Sequence, residues 1–133
     1  MIRKAVPVVT RRGGTEILAF EHPMAGKQLV KGTIEAGESA IDAAARELFE
    51  ESGLRLDDFA FVAASQDIVQ GQEWVFFHHA AKGLPDRWVH HCLDDGGHDF
   101  RFFWHPLSLK SEGWHPVFLR VLRNLSAWLS QGA

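Results

Sequence analysis

Apolar residues fall in short blocks along the first two thirds of the chain and in a longer spaced series at its end. Residues 3–10 hold Val6, Val8 and Val9 and predict a strand, with Pro7 marking an edge or a bulge. Arg11-Arg12-Gly13-Gly14 reads as a turn, and residues 17–20 as the returning strand. Residues 22–27, with Pro23 and Gly26, predict a loop, followed by a short extended piece at 28–31. Residues 59–67, 73–80, 87–92 and 100–104 are rich in aromatic and β-branched positions and predict further strands. Gly71, Gly83-Leu84-Pro85 and Gly96-Gly97 supply turns between them.

Two segments carry helical spacing. In residues 116–130, Val117, Phe118, Val121, Leu122, Leu125, Trp128 and Leu129 recur on one side, and Pro116 suits a first turn. In residues 39–52, Ser39 is a good N-cap, Asp42 completes a capping box and Gly53 supplies the left-handed stop. At about 100° per residue, Ile41, Ala44, Ala45 and Leu48 make an apolar stripe that Phe49 widens. Glu47, Glu50 and Glu51 then form an acidic arc away from most of that stripe. Strands, helix, strands, helix predicts an α/β protein, a mixed sheet flanked by helices, in one domain over residues 1–133.

Composition narrows the class. With 46% hydrophobic and 23% charged residues the chain has the mix of a globular protein. A formal charge of −3 lacks the basic face that general nucleic-acid binding needs, and it does not suit an anionic membrane surface. No apolar run reaches membrane-spanning length, and the first seven residues lack the apolar core of a signal peptide. The one cysteine, Cys92, excludes an internal disulfide; a reducing cytoplasm is the expected location, and a disulfide-free secreted protein would fit as well.

The acidic arc breaks two local rules. Carboxylates at i, i+3 and i+4 repel by a few tenths of a kcal/mol per pair. They also sit in the last turns, where the helix dipole disfavours negative charge. Such conflicts mark functional sites. A hard divalent cation with oxygen ligands would relieve them; an ordinary solvated acidic face is the plain alternative.

The surrounding residues 32–54 fit G-x5-E-x7-R-E-U-x-E-E-x-G-U, where U is a bulky aliphatic, at Gly32, Glu38, Arg46, Glu47, Leu48, Glu50, Glu51, Gly53 and Leu54. On that signature the chain resembles the Nudix hydrolases, and its element order is similar to their α/β/α sandwich. The resemblance implies hydrolysis of a nucleoside diphosphate linked to another moiety, with Mg2+ or Mn2+. It implies Glu50 and Glu51 as principal metal ligands, and Glu47 as a further ligand or the general base. Arg46 would hold Glu47, Glu38 would brace the turn into the helix, and a carbonyl at Lys31 or Gly32 would complete the metal shell. Gly32 and Gly37 would allow the tight backbone path. Some members use an acid outside the helix, for which Asp94, Asp95, Asp99 and Glu73 are candidates. Lys31, beside Gly32, is the best candidate for a phosphate contact, with Asp95 and Asp99 as further candidates for substrate binding. A nucleotide is the implied partner, and a homodimer is compatible with such a chain.

Other residues point less sharply. His78-His79 and His90-His91 are adjacent strand residues that face opposite ways, so neither pair chelates one zinc ion. There is no G-x-S-x-G elbow, P-loop or dinucleotide fingerprint. Trp114 is the best candidate for an exposed stacking aromatic, although packing in the core is the favoured explanation of it. Markers of Nudix subfamilies are absent: Val69 stands where the ADP-ribose type has proline, there is no tyrosine, Ser65-Gln66 is followed by Asp67 rather than the NADH-type motif, and the coenzyme A motif is missing. Small size then favours nucleoside triphosphates or a dinucleoside polyphosphate. The alternative in another class is a catalytically silent Nudix-fold nucleotide sensor; a protein-interaction domain with a solvated acidic helix is a third.

Overall fold

The computed structural model describes residues 1–93 and 96–131, so the candidate acids Asp94 and Asp95 lie outside the described residues. In chain order the elements are β1 (Ile2–Arg11), β2 (Glu16–His22), β3 (Gly26–Gln28), β4 (Gly32–Thr33), α1 (Ala40–Ser52), β5 (Ala60–Ser65), β6 (Gln72–Ala80), β7 (Trp88–Cys92), β8 (His98–Pro106) and α2 (Pro116–Gln131). The strands form one mixed sheet in the order β5-β6-β1-β2-β8-β7, with β3 paired to β2 and β4 to β1. The β1–β6 ladder is parallel and the other ladders between strands are antiparallel.

β1 explains its own place in the middle. Its run from Ala5 to Thr10 is buried throughout, the mark of a strand covered on both faces. Ala5 and Val9 belong to the core beneath α1, with Ala44, Leu48 and Phe77. Val6 and Val8 belong to the core beneath α2, with Phe76, Phe118 and Val121. The sheet is therefore sandwiched between the two helices, as the alternation of elements predicts.

Pro7 does not mark an edge. It lies inside the sheet, opposite Phe77 of β6. On the other side, β1 pairs with β4 at Lys4 and Ala5 and with β2 at Thr10 and Arg11. Residues 6–9 fall between those two pairings, and in that gap a missing N–H breaks no ladder.

The predicted loop at 22–27 also contains part of a strand. β3 pairs with Phe20 to His22 of β2 through Gly26, Lys27 and Gln28. On its other flank Lys27 N–H donates to Gly113 O at 2.9 Å, and His115 N–H donates to Lys27 O at 3.0 Å. This strand is fixed by backbone pairing on both sides rather than by a side-chain pattern. Among the described residues, no helix is long and apolar enough to cross a membrane.

Candidate active site

α1 begins and ends where its sequence dictates. Ser39 is the N-cap, its Oγ accepting the Asp42 N–H at 3.2 Å, and Gly53 closes the helix at φ 80° with its N–H on Phe49 O. The last turn holds no basic residue. Two donors from β7 cover its carbonyl end instead: Trp88 Nε1 donates to Ser52 O at 2.9 Å, and His90 Nε2 lies 3.1 Å from Glu50 O.

The inward face differs from the one expected. Ala43, Ala44, Glu47, Leu48 and Ser52 are buried, while Ile41 and Phe49 are 40% and 39% exposed. The buried arc is thus centred near Glu51 rather than near Ile41. Glu47 and Glu51 point at the sheet, and only Glu50 keeps to the outside. Alanine at positions 43 and 44 lets the helix lie close to β1. Phe49, left outside, is covered by the Arg55 guanidinium at 3.9 Å from the ring centre.

The path of β4 depends on this arrangement. A Cβ on Gly32 would fall within the Glu47 carboxyl group. Gly32 is therefore required for room, whereas Gly37, at φ 78°, is required for conformation. Arg46 gathers the carboxylates. Its Nε and Nη2 grip Glu38 at 2.8 and 3.0 Å, Nη1 meets Glu47 at 2.8 Å and Glu50 at 3.3 Å, and Nη2 also donates to Thr33 O at 3.0 Å. The two-pronged grip of Arg46 falls on Glu38, and its contact with Glu47 is through one nitrogen. Glu38 Oε1 in turn accepts the Glu35 N–H at 3.1 Å, tying the turn to the helix. The Arg46 hydrogen bonds hold the Glu38 carboxyl below its ordinary pKa, and Glu38 in turn raises that of Arg46.

Glu51 has the opposite environment. Burial, reinforced by the adjacent Glu47 charge, pushes its carboxyl well above the usual range, with Lys31 pulling the other way. Its Oε2 is closed off from solvent and has no hydrogen-bond partner. A buried acceptor left unpaired beside a second carboxylate fits a hard cation, whose oxygen ligands are of this kind. In the arrangement seen, Arg46 serves as the counter-charge, and among the described residues no three acidic, histidine or cysteine side chains converge on one point.

Lys31 joins these carboxylates to a cavity of about 310 Å³ lined by Lys4, Gln28, Lys31, Gln72, Trp74 and Phe118, among others. Lys4 donates to Thr33 Oγ1 at 2.7 Å. Burial lowers its pKa, Lys31 adds to that, and Glu47 opposes it. A larger cavity, about 720 Å³, lies at the β1–β2 turn and the end of α2, and none of the carboxylates of α1 lines it.

The remaining candidates lie elsewhere. Glu73 is paired with Arg3 at 2.8 Å. Asp99 stands opposite His91 on the β7–β8 ladder and bonds its Nδ1 at 2.8 Å. His78 meets Thr10 and His79 meets Asp57 O, so these neighbours do diverge. Trp114 is packed, at 7% exposure, in the core beneath α2. Lys4, Gln72 and His115, which border the cavity, carry no motif; only the fold assembles them.

Comparison with known proteins agrees with this fold. The profile of the NUDIX domain matches residues 1–124, and the chain belongs to the NUDIX family, as a hydrolase. Many solved structures share the fold. One comes from work on MutT of the psychrophilic fish pathogen Aliivibrio salmonicida and the mesophile Vibrio cholerae. It aligns with a TM-score of 0.71 at 21% identity, covering 95% of this chain and 97% of that one. No curated protein matches the chain.

Proposed function

We propose that the protein is a divalent-metal-dependent pyrophosphohydrolase of free nucleotides, with nucleoside triphosphates as the favoured class. The observation that carries this is the inward Glu47–Glu51 pair, one oxygen of which is unpartnered, set beside a lysine-bordered cavity of about 310 Å³. A pyrophosphate chain needs positive groups along its length and a place for its nucleoside; Lys31 and Lys4 supply the first and the cavity the second.

Magnesium or manganese, held by Glu47, Glu50 and Glu51, would neutralise and orient the phosphate oxygens. The chain's own residues do the rest. Lys31 and Lys4 hold phosphate oxygens. Arg46, itself anchored on Glu38, fixes the direction of the Glu47 carboxylate. Glu47 accepts the proton of the attacking water as the phosphoanhydride opens. Asp99 and Glu73, each already paired, are not needed for this step.

The test is product analysis on a nucleotide panel with magnesium and with EDTA. Turnover with magnesium alone supports the reading. Binding without turnover in either condition identifies a silent sensor module and overturns it.

A further inference from the structure

The cavity's polar lining has a fixed hydrogen-bonding sense. Gln72 Oε1 accepts the Trp74 Nε1–H at 2.9 Å. An indole nitrogen only donates, so the amide oxygen is engaged there and the Gln72 amino group is left for a ligand. His115 stands immediately before α2, and its Nδ1 accepts the Val117 N–H at 3.2 Å, which makes it the side-chain cap of that helix. Its neutral ring therefore carries the proton on Nε2, again a donor. Lys4 and Lys31 are donors by nature. Among the described residues no Asp or Glu lines the cavity, and of the lining side chains there the Gln28 amide alone can turn either way. Trp74 and Phe118, ring centres 5.8 Å apart, make the apolar wall.

We propose that this cavity selects oxo nucleobases over amino nucleobases. It reads the carbonyl at purine position 6 or pyrimidine position 4 through the Gln72 amino group and His115 Nε2–H. The inference rests on the reading of the cavity as the nucleoside site and adds the base class. Hypoxanthine, guanine and uracil present an acceptor at that position. Adenine and cytosine present an amino group, which sets donor against donor. A site whose half-buried donors bond one group disfavours the analogue that leaves them unpaired.

The experiment uses substrate pairs that differ only at that position: inosine against adenosine triphosphate, and uridine against cytidine triphosphate. Turnover with magnesium is paired with calorimetric binding of the corresponding monophosphates. The expected result is a preference of about tenfold or more for the oxo member in kcat/KM and in Kd, the size of one hydrogen bond. Gln72→Glu keeps an acceptor for Trp74 and replaces the donor with an anion, so it should abolish or reverse the preference. His115→Asn preserves the helix cap and removes the Nε2 donor, so it should shrink the preference without lowering Tm. Equal efficiency for both members of each pair overturns the inference, as does a preference that neither variant moves. If no nucleoside triphosphate or monophosphate binds or turns over, the nucleoside-site reading itself fails and takes the base class with it.

Discussion

Gly32 and Glu47 meet so closely that the space a Cβ would need on the glycine is held by the glutamate carboxyl. Position 32 pairs with Ala5 of β1, so the strand that carries it cannot retreat from the helix without breaking that ladder. The carboxyl is thus walled by backbone on one side and tied to the Arg46 guanidinium on the other. Its direction is set before any substrate arrives.

Gly32→Ala therefore expels the Glu47 carboxyl. Overpacking of this kind costs about 1–3 kcal/mol, and loss of a positioned proton acceptor costs about 100-fold or more in kcat. Thermal unfolding and steady-state kinetics check the two effects. A variant with wild-type melting and turnover would show that the close approach is irrelevant to the reaction.

Arg46→Lys keeps the charge and loses the fork that grips Glu38. The expected result is a fall in kcat of about 10- to 100-fold with a smaller change in KM, because Arg46 acts through Glu47. Glu38→Gln should reproduce part of that loss from the other end of the pair. A silent Arg46→Lys reduces Arg46 to a solvated helix residue; a rise in KM alone makes it a substrate contact.

Magnesium should stabilise the native protein by about 2.7 kcal/mol at a hundredfold excess over its Kd, by linkage. Glu51→Gln removes the unpartnered inward oxygen's charge, so it should abolish most turnover and most of this stabilisation. The same variant should melt at or above the wild-type temperature in EDTA, since it also removes repulsion with Glu47. Melting curves of both proteins with magnesium and with EDTA decide it; superimposable wild-type curves contradict the metal site.

Without metal, stability should fall as pH rises above the ordinary carboxylate value of 4.5. The folded pKa of Glu51 is raised, so the native state holds its proton longer than the unfolded chain does. That contribution is complete below the unfolded pKa and lost as pH climbs through the folded one. Glu38 has the opposite sign: its pKa is lowered, and its contribution fades as pH falls. Urea unfolding in EDTA across this range measures the slope, and Glu51→Gln should flatten its upper part. An unchanged slope in the variant assigns the effect to another group.

Much of this arrangement is legible in the chain itself. Ser39 and Gly53 bound α1, and the spaced apolar series bounds α2, because capping and periodicity are local properties. The carboxylates of α1 and their arginine are legible because their spacing is fixed within one helix. The inward face of α1 is not. A wheel ranks faces by apolarity, and it places Ala44 and Leu48 inward correctly, but the sheet also receives Ala43 and two glutamates while Ile41 and Phe49 stay outside. The interior place of Pro7 depends on where β4 ends and β2 begins along β1, which no local pattern encodes. Gln72 and His115 are ordinary polar residues until the parallel β1–β6 ladder and the Lys27–Trp114 bridge carry them to one cavity.

The register of β1 against β4 has a consequence for how the protein can fail. Lys4 faces the cavity and Ala5 the core beneath α1, in consecutive positions of one strand. A slip of one residue would exchange those faces, driving a lysine into the apolar interior as it dismantled the phosphate-facing side. Misalignment therefore cannot yield a sound core around a dead site. In magnesium, molecules misaligned at this ladder should then lose activity and native core together.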